Sequence, residues 1–224
     1  MNETWLLIET SGRTGRLGVA RGDAVIRMRA LEETRRLARD LAPAVGELLR
    51  EEQLEPRAIG GVMVSVGPGS YTGLRVGIMA AKAFAYATGC KLIAVPTFAA
   101  FALQAPSNAQ ETWVIGDALQ GTIYLERFSN GAALDELRIE RAEDVLPRIP
   151  QNAWVTGPGL AIHKWNDAGL ILEPSLEALF QAGRTIAPLS REELFALEPL
   201  YLRGSSAEEK AKTNESRNNS AARP

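Results

Sequence analysis

The sequence predicts an α/β fold, and three observations carry that expectation. Short apolar stretches separated by Gly-bearing turns open the chain, an uninterrupted β-branched run follows at Ile59 to Val66, and segments of helical periodicity alternate with them. Trp5 to Glu9 is the first strand and ends in Glu-Thr-Ser-Gly. Arg16 to Ala20 is the second, after the loop Ser11 to Gly15, and Arg21-Gly22-Asp23 turns the chain into Ala24 to Met28. Three consecutive strands of this kind form a β-meander.

Leu31 to Gln53 has the spacing of a helix, with Leu37, Leu41, Val45, Leu48 and Leu49 on one apolar face. Pro43 lies inside it, lacks a backbone donor and should kink or split the helix near Ala42. Ile59 to Val66 is a buried strand. The stretch VSVGPGSYTGLRVG, Val64 to Gly77, then turns the chain into a helix over Tyr71 to Thr88. That helix is apolar nearly all round, with Arg75 and Lys82 as its charges, so it must be covered on most sides. Gly89 suits its C-terminal cap. Lys91 to Val95 is a strand and Phe98 to Gln104 a short helix, giving the order βββαβαβα.

The polar stretch Ala105 to Gln110 marks a boundary. Beyond it Thr112 to Ile115, Thr122 to Phe128, Leu134 to Ile139 and Ala153 to Thr156 are strands. Glu143 to Leu146, Leu176 to Ala187 and Arg191 to Leu197 are helices. Residues 1–104 and 105–190 are expected to form two units, 191–203 to pack back between them, and 204–224 to be a disordered tail, since that last stretch has no large apolar residue.

The chain has 224 residues, 46% of them apolar, which allows a core without staples. Lys plus Arg (25) nearly balance Asp plus Glu (27), so the net charge of -2 gives no overall attraction to nucleic acid or an anionic membrane. A single cysteine, Cys90, excludes an internal disulfide and fits a reducing cytoplasm. The N-terminal MNETWLLIETSG has no basic n-region, and no apolar run is long enough to span a bilayer.

Two segments have the residue types of an anion site. Gly67, Gly69 and Gly73 let backbone approach a ligand, Ser70 or Thr72 can cap the helix, and Arg75 adds charge one turn in. A tight strand-to-helix turn needs the same residues. Glu9, Thr10 and Ser11 end the first strand with a carboxylate and two hydroxyls that suit a metal-bound nucleotide, and turns favour those residue types as well. No catalytic residue and no metal site is predicted. His163 is the one histidine, Asp117 has no second carboxylate placed to work with it, and nucleophile elbows, zinc motifs and Walker loops are missing.

Taken together, LLIETSGRTGRLGVARGD, VSVGPGSYTGLRVGIMAAKAFAYATG, IAVPTFAAFA, IGDALQGTIYLERF and EPLYLR come in an order that resembles the TsaB (YeaZ) family, over about Trp5 to Arg203. The resemblance implies an actin-like, sugar-kinase-like (ASKHA) fold of two βββαβα-type lobes. It implies a non-catalytic dimerising and activating subunit of the complex that adds a threonylcarbamoyl group to N6 of adenosine 37 in tRNA. In that family the catalytic subunit is TsaD, which carries the metal-binding histidines, and TsaE is an ATPase. It further implies that the contact with TsaD uses the helices of the first lobe, here Leu37, Leu41, Val45, Leu48, Leu74, Arg75, Ile78 and Lys82. No cofactor of its own is expected, with ATP or ADP at the junction with the partner, tRNA contact only indirect, and a homodimer when the chain is alone. The competing expectation is a stand-alone ATP phosphotransferase of the same fold, which the glycine loop and Glu9 motivate.

The sequence departs from the family pattern in three places. Glu9 replaces a usual aspartate, Asp117 to Tyr124 lacks two of the family's charged side chains, and the first long helix has no histidine over Glu32 to Asp40.

Overall fold

The computed structural model describes residues 3–31, 37–159, 173–200 and 202. It is mixed α/β with two sheets. The first has the order β3-β2-β1-β4-β5. Its strands are β1 (Thr4–Glu9), β2 (Arg16–Arg21), β3 (Ala24–Ala30), β4 (Gly61–Ser65) and β5 (Lys91–Val95). β1, β2 and β3 form the antiparallel meander, whereas β4 and β5 join β1 in parallel. Parallel neighbours require crossover connections, and the two helices α1 (Leu37–Glu51) and α2 (Tyr71–Thr88) supply them.

Alternation along the strands decides what covers each face. Leu6, Ile8, Leu17, Val19, Val62, Val64 and Leu92 point to one side, where they form a core with Leu41, Val45, Leu48, Ile78, Ala81 and Ala85 of the two helices. Leu7, Ala20, Met63, Ile93 and Val95 point to the other side, against Leu176, Leu179 and Phe180. Those three belong to α5 (Leu176–Gly183), shorter than the expected helix to Ala187. Although it lies within residues 105–190, this helix covers the first sheet. β3 is the edge, and Arg27 and Arg29 on it pair with Glu52, Glu47 and Glu51 of the α1 region, so the exposed edge is charged.

The second sheet has the order β10-β6-β7, with β8 and β9 also paired to β7. Its strands are β6 (Thr112–Asp117), β7 (Thr122–Ser129), β8 (Ala132–Ala133), β9 (Arg138–Arg141) and β10 (Trp154–Thr156). Of the strand expected over Leu134 to Ile139, only Arg138 and Ile139 are in one, as the start of β9, and β8 lies ahead of the expected span. Between them Asp135 accepts from Arg127 of β7 and holds the chain off the ladder. One face of this sheet is covered by α4 (Ala142–Val145) through Ala142 and Val145, and the other by α3 (Thr97–Ala102) through Phe98 and Phe101.

Leu31 lies outside the helix expected to begin there. Its N–H donates to the Gly15 carbonyl at 2.7 Å. Pro43 sits within α1, which continues unbroken over Leu37–Glu51. The last described helix, α6 (Arg191–Ala196), is started by a capping box of Ser190 and Glu193. It lies against α2, because the Lys82 ammonium donates to the carbonyls of Phe195 (2.8 Å) and Leu197 (3.0 Å), and Leu200 N–H donates to the Val66 carbonyl (2.7 Å). His163 and the expected tail 204–224 lie outside the described residues. No described helix is long and apolar enough to cross a membrane.

Candidate functional site

The two segments singled out as anion loops meet at the carboxyl ends of β1 and β4, where an α/β sheet commonly presents ligands. They meet by packing on each other. Ser70 N–H donates to the Ser11 carbonyl at 2.7 Å. A Cβ on Gly69 would lie 2.6 Å from that same oxygen, and one on Gly73 would lie 2.0 Å from the Thr10 carbonyl. One on Gly77 would lie 2.1 Å from the Thr10 hydroxyl. The glycines thus bring the first turns of α2 onto the end of β1, and that contact takes up the approach they provide.

The remaining groups of the glycine loop have internal partners. Ser70 caps α2 by accepting from Gly73 N–H at 3.2 Å, while Thr72 is exposed. Gly67, at φ +112°, follows β4 in a conformation that a side chain would strain. Its N–H donates to the Thr97 hydroxyl at 3.0 Å and its carbonyl accepts from Thr97 N–H. Arg75 is exposed and stacks on Tyr71, its guanidinium carbon 4.1 Å from the ring centroid. Thr97 and Ser65, which accepts from Thr10 N–H at 3.3 Å, complete the junction. Neither is recognisable from sequence, because each acts across more than twenty residues of chain.

Glu9 is fully buried. Ser11 donates both its N–H (2.6 Å) and its hydroxyl (2.5 Å) to one carboxyl oxygen. The other oxygen and the Thr10 hydroxyl are buried without a hydrogen-bond partner. Burial pushes this carboxyl up to about 7, against the opposing effect of the Ser11 hydrogen bonds. Since the folded value lies above the unfolded one of 4.5, the folded chain keeps a proton that the unfolded chain has already released between those limits. Stability therefore falls as pH rises through that window and stays low above it, by on the order of 3 kcal/mol in all. Glu9→Gln keeps the accepting oxygen and cannot ionise. It is expected to flatten this fall and to be more stable than the natural chain at about pH 8, as read by urea denaturation across the window.

The residues expected at a partner interface divide in two. Leu41, Val45, Leu48, Leu74 and Ile78 are at most 8% exposed, and all but Leu74 lie in the core between the helices and the first sheet. Leu37 is half-buried against that core, and Lys82 is engaged with α6. In the chain taken alone these five side chains are buried, and Arg75 is the one of the eight that is exposed. The outward face of α2 carries Tyr71, Arg75, Met79, Ala83 and Tyr86. Met79 is 65% exposed and Tyr86 66%, although Tyr86 also meets Phe195 of α6 edge-on at 5.8 Å between centroids. Gly46 lies on the outward side of α1, with no atom within 4 Å of where its Cβ would be.

Elsewhere, Asp117 accepts from Leu119 N–H at 2.9 Å and shapes the β6–β7 turn. Cys90 is half-buried, and burial pushes its thiol up, which makes it a poor nucleophile. Among the described residues no cluster of three or more His, Cys, Asp or Glu is placed to hold a metal ion.

A family model described as TsaD, tRNA N6-adenosine threonylcarbamoyltransferase, matches residues 31–164, more than half of the chain. The chain belongs to the TsaD family. Within it the chain is similar to TsaB and YeaZ proteins. It is 31% identical to the tRNA threonylcarbamoyladenosine biosynthesis protein TsaB of Bacillus subtilis over 130 residues, 57% of each chain. It is 29% identical over 209 residues to an uncharacterised protein of Mycobacterium tuberculosis, covering 89% of this chain and 92% of that one. Two solved structures from Pseudomonas aeruginosa share the fold at 21% identity. One is an uncharacterized protein with similarity to peptidase YEAZ, with a TM-score of 0.76 over 90% of this chain and all of the other. The second is YeaZ, at 0.72 over 89% of this chain and likewise all of the other. Two mixed sheets with this topology and these relatives make the fold of this TsaD-family member ASKHA-like.

Proposed function

We propose that the chain is a non-catalytic, dimerising and activating subunit in the synthesis of threonylcarbamoyladenosine at position 37 of tRNA. It binds a TsaD-like catalytic subunit through the outward faces of α1 and α2. The observation that carries this reading is the exposure of Met79 and Tyr86 on one face of a helix whose opposite face is fully used by its own sheet. Large apolar side chains left outside a completed core are a common feature of protein interfaces. Family membership supplies the reaction, and the one histidine of the sequence supports a partner carrying the catalytic groups.

The rest of the proposed assembly follows the same reading. A TsaE-like ATPase joins it, and ATP or ADP sits at the junction with the catalytic subunit. The free chain pairs with itself through the same faces, tRNA contact is indirect, and the complex works in the cytoplasm. A stand-alone ATP phosphotransferase is the weaker alternative, because Ser11 lies against Gly69 where the phosphates of a bound nucleotide need room.

The test is reconstitution of threonylcarbamoyl transfer to tRNA with the TsaD-like and TsaE-like proteins of the same organism and the TsaC-like protein that in the resembling family makes the threonylcarbamoyl-adenylate. Transfer is expected to require this chain and to be missing with this chain alone. Full transfer without it, or transfer by it alone, would overturn the proposal.

A further inference from the structure

We propose that a cleft on the α4 side of the second sheet binds a small molecule through a phosphate or carboxylate group, which Arg127, Arg138 and Arg148 hold. Trp113 of β6 and Arg127 of β7 are cross-strand neighbours, and Arg138 of β9 stands opposite Leu125 of β7. Cross-strand neighbours share a face of the sheet. The apolar part of this face, Ile123 and Leu125, is covered by Ala142 and Val145 of α4. α4 has only four residues, and the 3-10 turn Leu146–Arg148 follows it directly. Beyond that short cover lies a cleft of about 360 Å³, lined among the described residues by Glu111, Trp113, Arg127, Arg138, Arg148 and Pro150. That volume suits a small ligand.

The lining is cationic, with three guanidiniums to one carboxylate, because the other carboxylates that hold these arginines stand behind them. Asp135 accepts from the Arg127 backbone N–H (2.9 Å) and Nε (2.6 Å) and pairs with Arg138 Nη1 (2.6 Å). Glu140 accepts from Arg138 Nε at 2.5 Å and pairs with Arg148. Arg127 Nη1 also reaches Glu111 at 3.3 Å. Asp135 and Glu140 are 20% and 25% exposed, against 35% for Arg127 and Arg138 and 56% for Arg148, so the cations are the outward side of this ladder. The ladder fixes the guanidiniums in advance, which lowers the entropic cost of binding. It leaves Nη2 of Arg127 and Arg138, and Nε and Nη1 of Arg148, outside its own bonds. The Arg127 guanidinium carbon lies 5.5 Å from the ring centroid of Trp113, and the indole N–H is buried with no hydrogen-bond partner among the described residues. Every polar side chain lining the cleft except Glu111 is therefore a donor, and guanidinium N–H groups match the oxygens of a phosphate or a carboxylate. This inference uses none of the residues on the proposed partner faces.

The experiment titrates pyrophosphate and, separately, citrate into the full chain by calorimetry. It is repeated with Arg148→Ala, with Arg138→Gln and with the control Arg57→Ala, an exposed arginine ahead of β4, after circular dichroism has shown that each is folded. One molecule of at least one probe is expected to bind per chain. Arg148→Ala and Arg138→Gln are each expected to weaken that binding roughly tenfold or more, and Arg57→Ala to leave it unchanged. Tighter binding of pyrophosphate assigns the cleft to a phosphate ester, and tighter binding of citrate to a polycarboxylate. If Arg138→Gln does not fold, Arg148→Ala decides alone, since its side chain is more than half exposed. The proposal is overturned if neither probe binds at millimolar concentration. It is also overturned if the cleft variants bind as tightly as the natural chain, or if Arg57→Ala weakens binding as much as they do, which would make the attraction one of overall charge.

Discussion

Gly73→Ala is expected to destabilise the chain by about 3 kcal/mol or more, measured as a lower urea midpoint with an unchanged slope. The added methyl would stand 2.0 Å from the Thr10 carbonyl, well inside contact distance. That carbonyl is backbone at the end of a central strand, so it cannot turn aside as the tip of a flexible side chain would. Relief requires α2 to lift away from β1, which opens the core around Ile78 and Ala81. Gly46→Ala is the control on α1. Its Cβ would meet nothing within 4 Å, and alanine favours the helix by about 1 kcal/mol. The two replacements are the same chemistry with opposite signs, and the difference is the neighbouring backbone.

Ile78→Asp and Leu41→Asp are expected to abolish cooperative folding, each costing about 4 kcal/mol or more. The two side chains are 3% and 1% exposed, and each would place a carboxylate in an apolar layer. Met79→Asp is expected to change stability by no more than about 0.5 kcal/mol, because that position is 65% exposed. Thermal unfolding of the three variants side by side checks this. A folded Ile78→Asp chain with natural stability would place α2 the other way round on its sheet.

That contrast shows how far the sequence can be read. The meander, the buried strand at β4, the glycine turn and the Gly89 cap were legible because each has a local physical signature: alternation, a β-branched run, or a left-handed residue after a helix. The period of α1 and α2 likewise showed which side chains share a face. It did not show which face lies on the sheet. On α2, apolar nearly all round, Leu74 and Ile78, which the family resemblance put at a partner contact, are buried in the single chain. Met79 and Tyr86 are the two most exposed large apolar side chains of α2, and nothing local to the sequence sets them apart from the buried ones.

Other features could not have been found locally. Glu173-Pro174-Ser175 has the look of an ordinary helix start, and its carboxylate meets the residue 12–15 turn across 160 residues of chain. The glycine loop allowed two meanings from spacing alone. Only the folded chain shows Ser11 and Thr10 packed against Gly69, Gly73 and Gly77.

The measurement that bears most directly on the central proposal is light scattering behind size exclusion on this chain mixed with the TsaD-like protein of the same organism. It is made first with the natural chain, then with Met79→Asp and Tyr86→Asp, each shown beforehand to be folded. The account predicts a mixed peak at the summed mass for the natural chain and its loss in both variants. A mixed peak that survives both substitutions would contradict it, as would separate peaks for the natural pair.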